Sequence, residues 1–291
     1  MSEQTLSLSL PPQYRLDEVL AFHARDAEGV AEQVGAHSLR KAVLLDGVAV
    51  LFEVAFLPGE ARCRIAADGE LDAATRVRAE EALRSMLGLR IDPAPFADFV
   101  RKDVIFAPLL ERQPGLRIVQ SATVFEALTW AIIGQQINLP FAISLRRSFI
   151  GQAGRVHSSG LWCYPEAVDV ARLGLDALTS RKFSRAKAET LLRVARIVAD
   201  GELVLRLDDD LEHAAAQLLA VKGIGPWTVN YTLLRGYGYA DCSLEGDVAV
   251  RKAIGRLLGM AEKPGIPEAQ AWLAAYAPHR TMAAAYLWAS L

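Results

Sequence analysis

The spacing of apolar and polar residues divides the chain into two unlike parts. Residues 5–10 alternate with a period of two, which predicts a strand. Residues 17–25 carry a helical period. Strands are predicted over 38–45, 48–56 and 61–65, with Asp46-Gly47 as a two-residue hairpin turn and Pro58-Gly59 turning the chain before the third. A helix follows over 71–87, with Asp72 near its start and Gly88 just past its end. The run Asp92-Pro93-Ala94-Pro95 then breaks the pattern.

From about Phe96 onward every periodic segment reads as helix. The predicted spans are 98–110, 122–133, 140–152, 165–173, 176–178, 184–200, 209–220, 226–236, 247–258, 267–275 and 278–290. Pro140 and Pro226 fall at expected helix starts, where the missing N–H costs nothing. The fold class is therefore α+β: a small α+β domain over residues 1–109, then an all-helical domain over 110–291.

Composition adds limits. At 291 residues and 52% apolar side chains, the chain has enough material for a substantial core. No apolar run is long enough for a membrane span, and residues 1–10 lack the features of a signal peptide. Cys63, Cys163 and Cys242 are scattered and odd in number, so neither a disulfide framework nor a zinc site is expected, and a cytoplasmic setting fits. No dinucleotide fingerprint or phosphate-binding loop is present, which argues against a nucleotide-dependent metabolic enzyme and predicts no cofactor. Net charge is −2, but it is unevenly spread: residues 1–110 hold 12 basic and 17 acidic side chains, and 140–200 hold 10 basic and 5 acidic. Arg146, Arg147, Arg181, Lys182, Arg185, Lys187, Arg193 and Arg196 fall in that stretch and suggest a modest basic surface, although solvated helix faces would read the same way.

Two local patterns carry chemistry. The run from Leu218 to Thr228 ends one amphipathic helix, turns through Gly223-Ile224-Gly225 and starts another at Pro226. Glycines at such a turn leave backbone N–H groups free to hold a phosphate, and Ile224 would anchor the turn in the core. Taken alone, the run also fits an ordinary helical hairpin. Downstream, Asp247 stands at a helix N-cap position, and capping alone would explain it. Asp241 and Glu245 are neighbouring carboxylates that compete for any catalytic role.

Together, Lys222-Gly223-Ile224-Gly225-Pro226-Trp227-Thr228 and the later Leu244-Glu245-Gly246-Asp247 resemble the helix-hairpin-helix, Gly/Pro-rich loop and Asp signature of DNA glycosylases. Ala131-Ile132-Ile133-Gly134-Gln135-Gln136-Ile137, the terminal Pro278-His279-Arg280 with Tyr286-Leu287-Trp288, and the early Pro11-Pro12-Gln13-Tyr14 resemble the 3-methyladenine glycosylase II branch in particular. The resemblance implies an N-terminal domain akin to half of the TATA-binding protein, followed by two helical lobes flanking an active-site cleft. It implies a monomer that removes alkylated purines from double-stranded DNA by hydrolysis, leaving an abasic site. Deaminated or oxidised bases, or non-catalytic DNA binding, are the competing readings.

By the same resemblance Asp247 takes the catalytic carboxylate's place. Trp227, Tyr231 and Trp288 line the base pocket, with Phe22 as a looser fourth member. Gln136 becomes the wedge that fills the gap left by a flipped nucleotide. Gly223 and Gly225, with Lys222 and Thr228, form the DNA-holding hairpin, which in relatives sometimes carries a monovalent cation on its backbone. Three aromatics around a carboxylate would favour a cationic base. Two departures stand out: the branch's best-known member has Leu where this chain has Gln136, and a second Asp where this chain has Gly246. Trp227 occupies the position of the nucleophilic Lys of strand-cleaving relatives, so lyase chemistry is not expected. Relatives with an iron–sulfur cluster need four cysteines near the C-terminus, and this chain has three in all.

Overall fold

The computed structural model describes residues 2–291. Strands β1 (Ser2–Ser9), β2 (Glu32–Gly35), β3 (Ser38–Leu45), β4 (Val48–Leu57) and β5 (Glu60–Ala67) form an antiparallel sheet in the order β1-β5-β4-β3-β2. Asp46 and Gly47 both have positive φ, 52° and 76°, as a tight two-residue hairpin turn demands, and Leu45 faces Val48 across it. Strand β2 is absent from the sequence expectation. Its four residues, Glu-Gln-Val-Gly, contain one apolar side chain and so carry no alternation to detect. Helices α1 (Leu16–His23) and α2 (Ala73–Met86) follow β1 and β5 and share a core with the sheet residues Leu39, Val43, Phe52 and Ile65.

Twelve further helices complete the chain: α3 (Ala94–Phe99), α4 (Phe106–Arg112), α5 (Val124–Gly134), α6 (Leu139–Ala153), α7 (Ala167–Ala171), α8 (Leu175–Thr179), α9 (Arg185–Ala199), α10 (Leu211–Ala220), α11 (Pro226–Thr232), α12 (Val248–Leu257), α13 (Ile266–Ala274) and α14 (Arg280–Ala289). Two expectations need correcting. The single helix predicted over 98–110 is the pair α3 and α4. Asp103 interrupts it, accepting the N–H groups of Ile105 and Phe106 at 2.8 and 2.9 Å and so starting a new helix. The helix predicted over 226–236 stops being α-helical after Thr232 and continues as a π-turn, Leu233–Tyr237, closed by Gly238 at φ 72°.

The sheet runs directly into the helical part. The outer end of β3 leaves β2 and pairs instead with Tyr164: Leu44 N–H donates to the Tyr164 carbonyl (3.0 Å), and Tyr164 N–H donates to Ala42 (3.1 Å). Leu161 and Cys163 pack there with Ala42, Leu44, Leu51 and Ala66.

Below that seam lies a buried charge cluster. Lys41 shares its side of β3 with Leu39 and Val43, an apolar position for a charged residue. Only 1% exposed, it places Nζ 2.7 Å from both Glu32 and Glu126. Arg146 of α6 joins the same carboxylates, at 2.9 Å to Glu126 and 3.3 Å to Glu32. Burial alone would raise both carboxyls, but the Arg146 and Lys41 charges outweigh it and hold Glu32 well below, and Glu126 below, the usual range. Four charges thus tie β2 and β3 to α5 and α6.

Candidate active site

Asp247 is fixed from several directions. It caps α12, and its Oδ1 accepts the N–H groups of Ala249 and Val250, both at 2.9 Å. The Trp288 indole N–H donates to the same oxygen at 3.1 Å, and the Trp227 indole N–H donates to Oδ2, also at 3.1 Å. A Cβ at Gly246 would meet the Trp227 Cβ at 3.7 Å, an ordinary contact, so the approach of Trp227 does not require glycine there. The structure therefore brings Asp247, Trp227 and Trp288 into one constellation. Asp241 is engaged elsewhere, in a bidentate pair with Arg280 at 2.7 Å to each oxygen. Glu245 keeps one carboxylate oxygen buried with no partner among the described residues.

Tyr231 lies one helical turn beyond Trp227, with ring centroids 5.2 Å apart. Its hydroxyl accepts the Trp130 indole N–H at 3.1 Å. Phe22 of α1 reaches the same region from the N-terminal part. What joins these rings is a residue absent from the sequence reading. The Arg235 guanidinium lies 5.0 Å from the Phe22 ring, 5.6 Å from Trp288 and 6.0 Å from Tyr231. Arg25 covers the Phe22 ring at 4.0 Å. The aromatic set is thus flanked by a cation of the protein's own, of which the sequence showed no sign. Burial and the neighbouring Arg25 draw the Arg235 guanidinium below its usual range, yet an arginine stays charged at neutral pH. Phe22, Arg25, Arg235 and Trp288 line an open cavity of about 340 Å³.

The hairpin follows the predicted helix–turn–helix path, with two differences. Gly223 has φ 99°, whereas Gly225, the N-cap of α11, has φ −112° and is not left-handed. The N–H groups of both glycines have no protein acceptor among the described residues. Ile224 is buried beneath them. Lys222 is exposed, and its carbonyl accepts from Arg193. Thr228 differs from expectation: it is 2% exposed, and its hydroxyl accepts the Gln135 amide at 2.9 Å, so that oxygen faces the protein.

Gln135 was also missed by sequence reasoning. Its amide bridges to the Gly223 carbonyl at 3.1 Å and fastens the 135–136 loop to the hairpin. Lys187 of α9 supports the same loop from beneath, donating to the carbonyls of Ile133 and Gln135. Burial lowers the Lys187 pKa. Next to this anchored residue Gln136 projects into solvent, with φ 56°.

The basic surface is thinner than the residue count suggested. Arg146 and Lys187 are buried, Arg147 is paired with Asp26 and Glu28, and Arg185 with Glu189. Arg181, Lys182 and Arg196 are exposed, with Arg193 partly so. No helix among the described residues is long and apolar enough to cross a membrane.

Two protein families match most of the chain. The profile of the AlkA N-terminal domain matches residues 5–122, and that of the HhH-GPD superfamily base excision DNA repair protein matches residues 129–277. A Bacillus subtilis protein named DNA-3-methyladenine glycosylase is 31% identical over 202 residues, covering 68% of this chain and 67% of that protein. DNA-3-methyladenine glycosylase 2 of Escherichia coli is 29% identical over 178 residues, covering 60% of this chain and 61% of its own length. Among solved structures, a 3-methyladenine DNA glycosylase from Archaeoglobus fulgidus superposes with a TM-score of 0.82 at 24% identity, covering 98% of this chain and 97% of that one. With that family's model matching residues 129–277, this chain belongs to the HhH-GPD superfamily of base excision DNA repair proteins.

Proposed function

We propose that this protein is a monofunctional DNA glycosylase that hydrolyses the N-glycosidic bond of alkylated purines, such as 3-methyladenine and 7-methylguanine, in duplex DNA and leaves an abasic site. The observation that carries this reading is Asp247, a carboxylate locked by four N–H donors between two tryptophans, next to a hairpin with free backbone N–H groups.

The geometry supports the following roles. A base inside a duplex is out of reach, so the nucleotide must flip out at a cost of a few kcal/mol. Gln136, held out on a loop pinned by Gln135 and Lys187, fills the vacated stack and hydrogen-bonds the orphaned partner. The Gly223 and Gly225 N–H groups take a phosphate, with the Lys222 charge close by. Trp227, Tyr231, Trp288 and Phe22 enclose the flipped base. As the glycosidic bond breaks, positive charge gathers on the sugar, and the Asp247 carboxylate stabilises it while water adds to C1′. A carboxylate already held in place needs no reorientation at that moment. We further read residues 1–109 and 110–291 as the two domains and the protein as a monomer.

The test is base release from methylated duplex DNA by wild type and Asp247→Asn, with strand analysis before and after alkali. Asparagine keeps an oxygen for the Ala249 and Val250 N–H groups, so fold and DNA binding should persist. Release should fall by about 10²-fold or more, the loss typical when one electrostatic stabiliser is removed. Wild-type activity with nicking only after alkali supports the reading. Full activity in the variant would transfer the role to Glu245.

A further inference from the structure

Arg235 is placed by a break in helical regularity. Trp227, Tyr231 and Arg235 are spaced four apart, and in a strict α-helix each step advances about 40° around the axis. The wider π-turn slows that advance just where Arg235 occurs, keeping its side chain on the face that Tyr231 occupies. Gly236, in the same turn, permits it: a Cβ there would lie 3.1 Å from Ala127 and 3.2 Å from Val124. The guanidinium is then fixed by a bond from Nη1 to the Val119 carbonyl at 2.5 Å. Its Nε–H is buried with no acceptor among the described residues. An unpaired buried donor is costly and calls for a partner. This one belongs to a side chain lining the open cavity that Phe22 and Trp288 also line. The Trp288 ring is 5.6 Å from the guanidinium, and its N–H edge is bonded to Asp247. A positive and a negative group therefore flank one indole.

Given the glycosylase reading above, on which this inference rests, we propose that Arg235 is a catalytic and specificity-determining residue that acts on the departing base. When the C1′–N9 bond breaks, both electrons go to N9. An alkylated purine that entered as a cation leaves neutral, and the water that adds to C1′ gives its proton to solvent. A neutral purine leaves as an anion and takes up the proton released by that water. In both cases the base becomes one unit more negative and the sugar one unit more positive. A guanidinium on the base side and a carboxylate on the sugar side both favour that displacement. They differ before the reaction: Arg235 repels a cationic base on entry, whereas its charge attracts the carbonyl oxygen of a neutral base.

Three bases separate these effects: 3-methyladenine (cationic, no carbonyl), 7-methylguanine (cationic, carbonyl) and hypoxanthine (neutral, carbonyl). The experiment is single-turnover base release, with the half-saturating enzyme concentration measured alongside, for wild type, Arg235→Met and Arg235→Lys. For Arg235→Met the hypoxanthine rate should fall by about 10²-fold and the rates for the two cationic bases by about 10-fold, as expected for one preorganised charge. Half-saturation should move to lower enzyme concentration for 3-methyladenine and to higher concentration for hypoxanthine. Arg235→Lys keeps the charge and should retain most of the rate, so it also controls for a loss of folding in the methionine variant. An equal loss for all three bases with half-saturation unchanged, or no loss at all, would overturn the proposal. A wild type that releases none of the three overturns the glycosylase reading instead, and does so before any variant is compared.

Discussion

Replacing Lys41 by methionine tests the charge cluster that joins the sheet to the helices. Lys41 sits 2.7 Å from both Glu32 and Glu126 and is 1% exposed, so the substitution leaves two buried carboxylates facing one guanidinium. Methionine fills most of the lysine volume, so little of the effect comes from a cavity. Removing one member of a buried ion network costs about 3–5 kcal/mol. At about 2–4 °C per kcal/mol for a chain of this size class, the melting temperature should fall by roughly 6–20 °C at neutral pH. The pH dependence supplies a second reading. Both carboxyls are depressed in the folded protein, so their contribution is complete above the unfolded carboxyl value of about 4.3 and is lost as pH falls through the folded values. Wild type should therefore lose stability on acidification below about pH 4. In the variant a proton can neutralise the surplus charge, so its deficit relative to wild type should narrow as pH falls. Calorimetric melts of both proteins across that range make the comparison. A neutral-pH difference under about 2 °C, or a gap that does not change with pH, would refute the account.

Three other substitutions probe the elements proposed to face DNA. Gly223→Ala places a Cβ 2.2 Å from the Thr190 hydroxyl at φ 99°, and the backbone strain alone is worth about 1–3 kcal/mol. Duplex affinity measured by anisotropy should fall, while Gly225→Ala, with open space around its Cβ, should leave the melting temperature nearly unchanged. Lys187→Met leaves the Ile133 and Gln135 carbonyls without their buried donor, at about 1–3 kcal/mol each. Base release should fall more than duplex binding, because the loop carrying Gln136 loses its support, and equal losses in rate and affinity would argue against that role.

The sequence exposed what is local and concealed what is assembled. The β3–β4 hairpin was legible because Asp46-Gly47 states its turn in two residues between alternating strands. Asp247 was legible because one residue is both a helix cap and part of a recognisable run, although its two indole partners are 20 and 41 positions away. Asp103 could have been found as a cap inside the apparent helix over 98–110, since its carboxylate meets the N–H groups two and three residues on. Lys41, Glu126 and Arg146 gave no such sign. Each reads as a solvated charge until the fold removes the water, and Lys41 and Glu126 stand 85 residues apart, Arg146 and Glu32 farther still. Arg235 was hidden for a related reason: helical spacing is counted at 3.6 residues per turn, and the local winding differs where it matters.

That local winding also bears on how the pocket changes over evolutionary time. A π-turn accommodates about one more residue per turn than the helix around it. Loss of a single codon between positions 233 and 237 would restore α-helical winding and swing Arg235 away from Phe22 and Trp288, with Asp247 and the hairpin left in their places. Relatives that share the carboxylate but lack the guanidinium in the pocket should therefore differ from this chain by a one-residue gap in this turn. A change in lesion preference would then descend from one small deletion rather than from many accumulated point substitutions.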